Sequence, residues 1–190
     1  MIPSPARYKL AMHTEAPGKF VSAIEVRVSR TGDSCFAFGY VLTGDLSNIR
    51  IPLSVSTCRA DRLWEHTCFE AFVRAKGQAG YYEFNFSPSG EWAAYVFREY
   101  REGGPINDDQ LNPKIAVQKE AETLELHAVI RLDRLSRIQP GSILQLGLSA
   151  VVEDINERLS YWALRHPPGK PDFHHPDNFA LEIPLGGQNP

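Results

Sequence analysis

Hydrophobic and polar residues alternate with a period of two along most of this chain, and stretches with a helical period are scarce. A chain of this kind buries one face of each extended segment and must pair those segments into sheets. The clearest case is Phe20 to Val28, where Phe20, Ser22, Ile24, Val26 and Val28 oppose Val21, Ala23, Glu25 and Arg27. The turn Thr31-Gly32-Asp33 follows, and Cys35 to Thr43 answers with Phe36, Phe38, Tyr40 and Leu42 on one face, which predicts a hairpin. Further strands are expected over His66–Val73, Tyr81–Ser87, Glu91–Tyr100, Thr123–Arg131, Ile143–Glu153, Arg158–Leu164 and Phe179–Ile183. Leu132 to Ile138 reads as one or two helical turns, and Glu102 to Pro113 as a polar loop. About ten strands separated by Gly, Pro and Asp turns predict an all-β, two-layer antiparallel β-sandwich. No repeat or linker divides residues 1–190, so a single domain is expected.

The formal charge of −3 carries no clustered excess of Lys and Arg, so a nucleic-acid partner is not expected. No apolar stretch approaches the roughly 20 residues needed to cross a bilayer, so no membrane partner is expected either. The first residues show no apolar run behind a basic start, and no secretory signal is expected. Cys35, Cys58 and Cys68 are odd in number and stand at no metal-binding spacing. They fit a reducing cytoplasm better than a disulfide framework.

The strand at His66–Val73 has two different faces. Phe69, Ala71 and Val73 make a core face, while His66, Cys68, Glu70 and Phe72 point the other way. Glu70 in mid-strand has two readings, a solvated outer face or a groove in which it accepts hydrogen bonds from ligand hydroxyls. Trp64 has the same parity, but in one unbroken strand it would lie ~20 Å away at about 3.3 Å per residue. A shared site therefore requires a break near Glu65–Thr67 that folds Trp64 back over the strand start. In the next strands Tyr81, Glu83 and Asn85 share a face, and Trp92, Ala94, Val96, Arg98 and Tyr100 share another. Arg98 is a forked donor suited to a hydroxyl pair or a carboxylate.

Tyr161 to Phe179 forms a second informative region, in which Pro167, Pro168, Pro171 and Pro176 exclude regular sheet. This long surface loop carries Arg165, His166, Lys170, Asp172, His174, His175 and Asp177, and Trp162 stands at its start. Aromatic planes combined with charged edge groups suit a pocket for an amphipathic ring such as a sugar. The three histidines raise a metal alternative, although no HExxH motif or paired-cysteine spacing accompanies them. Adjacent His174 and His175 would point apart in extended chain. Glu70, Glu83 and Asp172 offer carboxylates for an acid/base mechanism, at a separation that the sequence leaves open.

The run LWEHTCFEAFV, then YYEFNFSPSGEW, then a late Trp in a strand, resembles the DOMON-like superfamily and, within it, family 9 carbohydrate-binding modules. Trp64, Glu70, Tyr82, Phe84, Asn85, Pro88 and Gly90 carry the resemblance, which is clearest over Leu63–Trp92. It implies a β-sandwich that binds a small carbohydrate or polyol without turnover. Two tryptophans, Trp64 and Trp162, would sandwich the ring, and Glu70 and Arg98 would hold its hydroxyls. Asp172, His174 and His175 would cover the site. Other members of the superfamily bind haem through Met and His. Here the methionines are Met1 and Met12, so a haem or metal alternative would rest on His66, His166, His174 or His175. A third alternative is a sugar-modifying enzyme using Glu70 or Asp172, and a fourth is a purely protein-interacting sandwich.

Overall fold

The computed structural model describes residues 6–31 and 35–185. Within them the chain forms β1 (Ala6–Lys9), β2 (Ala11–Met12), β3 (Val21–Arg30), β4 (Cys35–Gly44) and β5 (Cys68–Ala75). Then come β6 (Tyr81–Phe86), β7 (Trp92–Glu99), β8 (Glu102–Pro105) and β9 (Lys114–Lys119). The last four are β10 (Thr123–Arg131), β11 (Ile143–Glu153), β12 (Leu159–Ala163) and β13 (Leu181–Pro184). Helical structure among the described residues is confined to single 3₁₀ turns such as Leu63–Glu65, Leu132–Arg134 and Pro176–Asn178.

One antiparallel sheet runs in the order β1-β3-β4-β10-β9, and the other runs β2-β12-β11-β5-β6-β7-β8 with β13 also on β11. The two-layer sandwich expected from the alternation is present, with more strands than the ten anticipated. Its core is made by inward faces of both sheets, including Phe36, Phe38 and Tyr40 of β4 against Phe69, Phe84 and Phe86 of the second sheet. The β3–β4 pairing carries a bulge between Val21 and Ala23. The bulge shifts the parity, so Val21 is buried together with Ile24, Val26 and Val28, which the simple alternation had placed on the opposite face. The expected turn Thr31-Gly32-Asp33 lies outside the described residues beyond Thr31.

The segment after Tyr100, expected as a polar loop, begins with β8 paired antiparallel to β7. Gly103 is what allows this. A Cβ on Gly103 would lie 2.0 Å from the Val96 carbonyl oxygen, so only glycine fits the close approach. Strands β1, β2 and β9 are likewise short or exposed pieces whose sequence shows little alternation, and sheet pairing rather than propensity extends them.

Two strands share one edge of β11. Its second half pairs with β12 through Ser149–Glu153, and its first half pairs with β13 through Ile143–Leu146. Between them the proline-rich loop leaves the sheet, so it lies over the outer face.

Candidate functional site

The outer face of the larger sheet carries a second apolar cluster, built on Cys68, Phe72, Tyr81, Tyr95 and Phe97 and closed by Phe173 and Phe179 from the proline loop. Set into it is a cavity of about 520 Å³. Glu70 and Glu83 line it from adjacent strands, at 3% and 5% exposure. Glu70 stands opposite Asn85 on β6 and Ser149 on β11, and Glu83 stands opposite Phe72 and Tyr95. The Tyr40 hydroxyl crosses from the other sheet and donates to the Glu70 carbonyl oxygen at 2.6 Å, fixing the strand beneath the carboxylate.

The two carboxylates have few donors. Asn85 Nδ2 donates to Glu83 at 2.8 Å, while Ser149 Oγ reaches Glu70 only at 3.5 Å. Burial pushes both well above the ordinary carboxylate range. For Glu70 the neighbouring charge of Glu83 adds to the effect, and for Glu83 the Asn85 bond and Arg101 oppose it.

One wall is the 3₁₀ turn at Leu63–Glu65. Arg62 begins it in the left-handed region at φ 63° and donates to Glu65 Oε1 at 2.9 and 2.6 Å, while buried Leu63 anchors it to the sheet. The chain then extends at His66 before β5 begins, which is the break required to fold Trp64 back. Trp64 is 39% exposed and meets Tyr95 edge-to-face at 5.6 Å. Tyr161, Leu159 and Val151 line the cavity from the β11–β12 side.

The roof is the loop from Leu164 to Ala180. Asn178 anchors it by donating to the Phe173 carbonyl at 2.8 Å while its amide packs directly on Gly147. His174 hangs from this roof among Phe72, Tyr81 and Phe97, with ring centroids 5.1–5.8 Å apart. The Tyr81 hydroxyl accepts from the Arg101 backbone N–H at 3.0 Å and lies 2.8 Å from His174 Nδ1. The other ring nitrogen, Nε2, lies 3.6 Å from Glu83 Oε2. Burial and the Arg101 charge lower the His174 pKa to about 4, so the ring is neutral near pH 7. Arg101, at φ 56°, donates to Asp172 at 2.8 Å, and Tyr100 donates to the same carboxylate at 2.7 Å. Asp172 lies below the ordinary carboxylate range, because those bonds outweigh its partial burial.

Of the residues singled out from sequence, Trp64, Glu70 and His174 meet at this cavity. Asp172 stands behind it and holds Arg101. The other three are placed elsewhere. Trp162, 4% exposed, faces the core between the sheets and donates to Ser160 Oγ, because adjacent strand positions alternate and Tyr161 takes the outer face. Arg98 has the parity of Trp92 and Ala94, so at the strand end it turns into solvent and pairs with Glu102. His175 points away from His174 and caps the Pro176–Asn178 turn by accepting from the Asp177 N–H.

His66 pairs with Glu153, and His166 donates to the Ala11 carbonyl, so the four histidines of the metal alternative occupy different surroundings. Among the described residues no three of His, Cys, Asp and Glu converge to hold a metal ion. Sequence reasoning placed Glu83 on the right face without adding it to the site, and it missed Tyr95, Phe97, Arg101, Tyr161 and Phe173. For Tyr95, Phe97 and Tyr161, the parity opposite to the core tryptophans was the available signal. Arg101 is itself a left-handed turn residue and Phe173 sits in a loop, where periodicity gives no guide.

No family model and no curated protein sequence matches the chain. Solved structures do. A candidate carbohydrate-binding protein from Bacteroides uniformis aligns with a TM-score of 0.69 and 18% identity, covering 91% of this chain and 83% of its own. A family 9 carbohydrate-binding module from Caldicellulosiruptor kristjanssonii, in complex with glucose, aligns at 0.58 and 12% identity, covering 97% and 86%. A family 9 module from the same organism in complex with cellotriose aligns at 0.53 and 11%, covering 87% and 75%. The chain therefore shares the β-sandwich fold of these modules.

Proposed function

We propose that the chain binds a small carbohydrate or related polyol in the cavity on the outer face of its larger sheet, as a DOMON-like binding domain rather than a catalyst. The observation that carries this reading is the pairing of aromatic walls with two buried carboxylates that the protein leaves short of hydrogen-bond donors. Burying a carboxylate without partners is costly, and a polyhydroxyl ring brings the missing donors while laying its C–H faces on Trp64, Tyr95 and Tyr161. Glu70 and Glu83 accept from hydroxyls, His174 bonds another through Nε2, and the Asp172-held Arg101 guanidinium supplies further N–H groups at the rim. The neighbours' complexes with glucose and cellotriose support a sugar as the ligand class. Cytoplasmic placement belongs to the same proposal, supported by the free thiols of Cys35, Cys58 and Cys68.

The test is a thermal-shift screen against mono- and disaccharides, sugar phosphates and amino sugars. A ligand at ~100 times its dissociation constant adds about 2.7 kcal/mol, a melting shift of roughly 5–11 °C for a domain of this size. A shift that disappears in Trp64→Ala supports the reading. A flat screen on a folded protein overturns it.

A further inference from the structure

The cavity is rich in carboxyl groups and poor in cations. Glu65, Glu70 and Glu83 line it, against the single permanent cation Arg101 and a neutral His174. Burial shifts Glu70 and Glu83 toward their protonated forms, a shift that a ligand cation placed between them would reverse. The pairing already in place widens the imbalance. Arg101 is committed to Asp172, which stands behind the cavity, and Glu65 is committed to Arg62. Glu70 and Glu83 remain on the floor with no Lys or Arg in ion-pair contact among the described residues. Glu70 is buried, and among the described residues Ser149 at 3.5 Å is the one side chain that donates to it. Buried carboxylates without a cation oppose folding, and a cation that enters with the ligand relieves them. Trp64, Tyr95 and Tyr161 line the same space, and the face of an aromatic ring attracts a cation.

Resting on the carbohydrate reading, we infer that the ligand is an amino sugar whose ammonium group sits between Glu70 and Glu83 while its ring lies against Trp64. Neutral sugars are the weaker class and acidic sugars the excluded one.

Matched pairs that differ only in an ammonium or a hydroxyl at one carbon isolate the charge: glucosamine with glucose, galactosamine with galactose, mannosamine with mannose. Titration calorimetry of the full chain with each pair, with glucuronate and with ethanolamine is the experiment. The expected result is at least one hexosamine bound tenfold or more tighter than its parent hexose, with no binding of glucuronate. The near-isosteric variants Glu70→Gln and Glu83→Gln bring that pair close to parity while keeping a cooperative thermal transition. A parent hexose bound as tightly as its amine, or glucuronate bound at all, overturns the inference and leaves the carbohydrate reading standing. Ethanolamine bound as tightly as the hexosamines overturns both, since the ring then contributes nothing. No binding by any of the sugars overturns the inference, and the wider saccharide screen then decides the carbohydrate reading separately.

Discussion

The Tyr81 hydroxyl joins the sheet to the proline loop by a 2.8 Å hydrogen bond with His174 Nδ1 while accepting from the Arg101 N–H. One phenol thus fixes the position of the imidazole beside Glu83. Tyr81→Phe removes both bonds and leaves the Arg101 amide without its partner, at a cost of about 1–3 kcal/mol. Urea denaturation should show that loss with an unchanged m-value, because the sandwich itself is untouched.

The two tryptophans separate folding from binding. Trp162→Ala empties a buried core position and should destabilise by roughly 3–5 kcal/mol. Trp64→Ala removes a half-exposed ring and should change stability by no more than about 1 kcal/mol while abolishing the ligand-induced thermal shift. Chemical denaturation of the two variants side by side reads the difference. Equal and large losses would place Trp64 in a structural role.

The core faces were legible in the sequence, whereas the separate roles of the two tryptophans were not, since both were expected to stack on the ligand. Alternation gave Phe69, Ala71 and Val73 as a core face and put Phe36, Phe38, Tyr40 and Leu42 on one face. The distance from Trp64 to Glu70 along an unbroken strand made a shared site depend on a break, which the structure contains. The misplacements have one physical origin. Parity is read by counting, and a count cannot tell which of two aromatic neighbours, Tyr161 or Trp162, meets the partner sheet, since both suit a strand. The count also fails wherever a bulge or left-handed residue intervenes, as at Val21–Ala23 and Arg101. Partners distant in sequence, such as Tyr81 with His174 or Asn178 with Gly147, follow from the sheet order and not from local pattern.

Stability should vary with pH in a direction set by the cavity's titrating groups. Glu70 and Glu83 hold protons more tightly folded than unfolded, so their contribution falls as pH rises from the ordinary 4.5 through the folded value, about 7 for Glu83. His174, lowered to about 4, works oppositely, and its contribution is lost as pH falls from the ordinary 6.5 toward 4. The effects oppose one another between 4.5 and 6.5, and the carboxylates act alone above that. Ligand-free protein should therefore lose stability between about pH 6.5 and 7.5. Glu83→Gln should flatten that decline and gain about 1–3 kcal/mol at pH 8. Melting temperatures across a pH series are the measurement.

Gly147→Ala should loosen the roof without unfolding the sandwich. The new Cβ would lie 2.7 Å from Asn178 Nδ2, so the amide that holds the Phe173 carbonyl must move. The overall cost should be about 1–3 kcal/mol. Limited proteolysis should find new cleavage between residues 165 and 177, with the strands protected.

Because β12 and β13 pair with successive stretches of the same β11 edge, the proline loop is a detour whose two ends are already hydrogen-bonded into the sheet. Register on either side is set without it. The carboxylate floor belongs to strands that the fold cannot alter cheaply, whereas the lid belongs to a segment that can lengthen, shorten or change composition at little cost to the scaffold. Selectivity for what lies above the floor can therefore drift independently of the floor itself, and transplanting residues 165–177 between sandwiches of this kind would be a direct way to exchange one ligand preference for another.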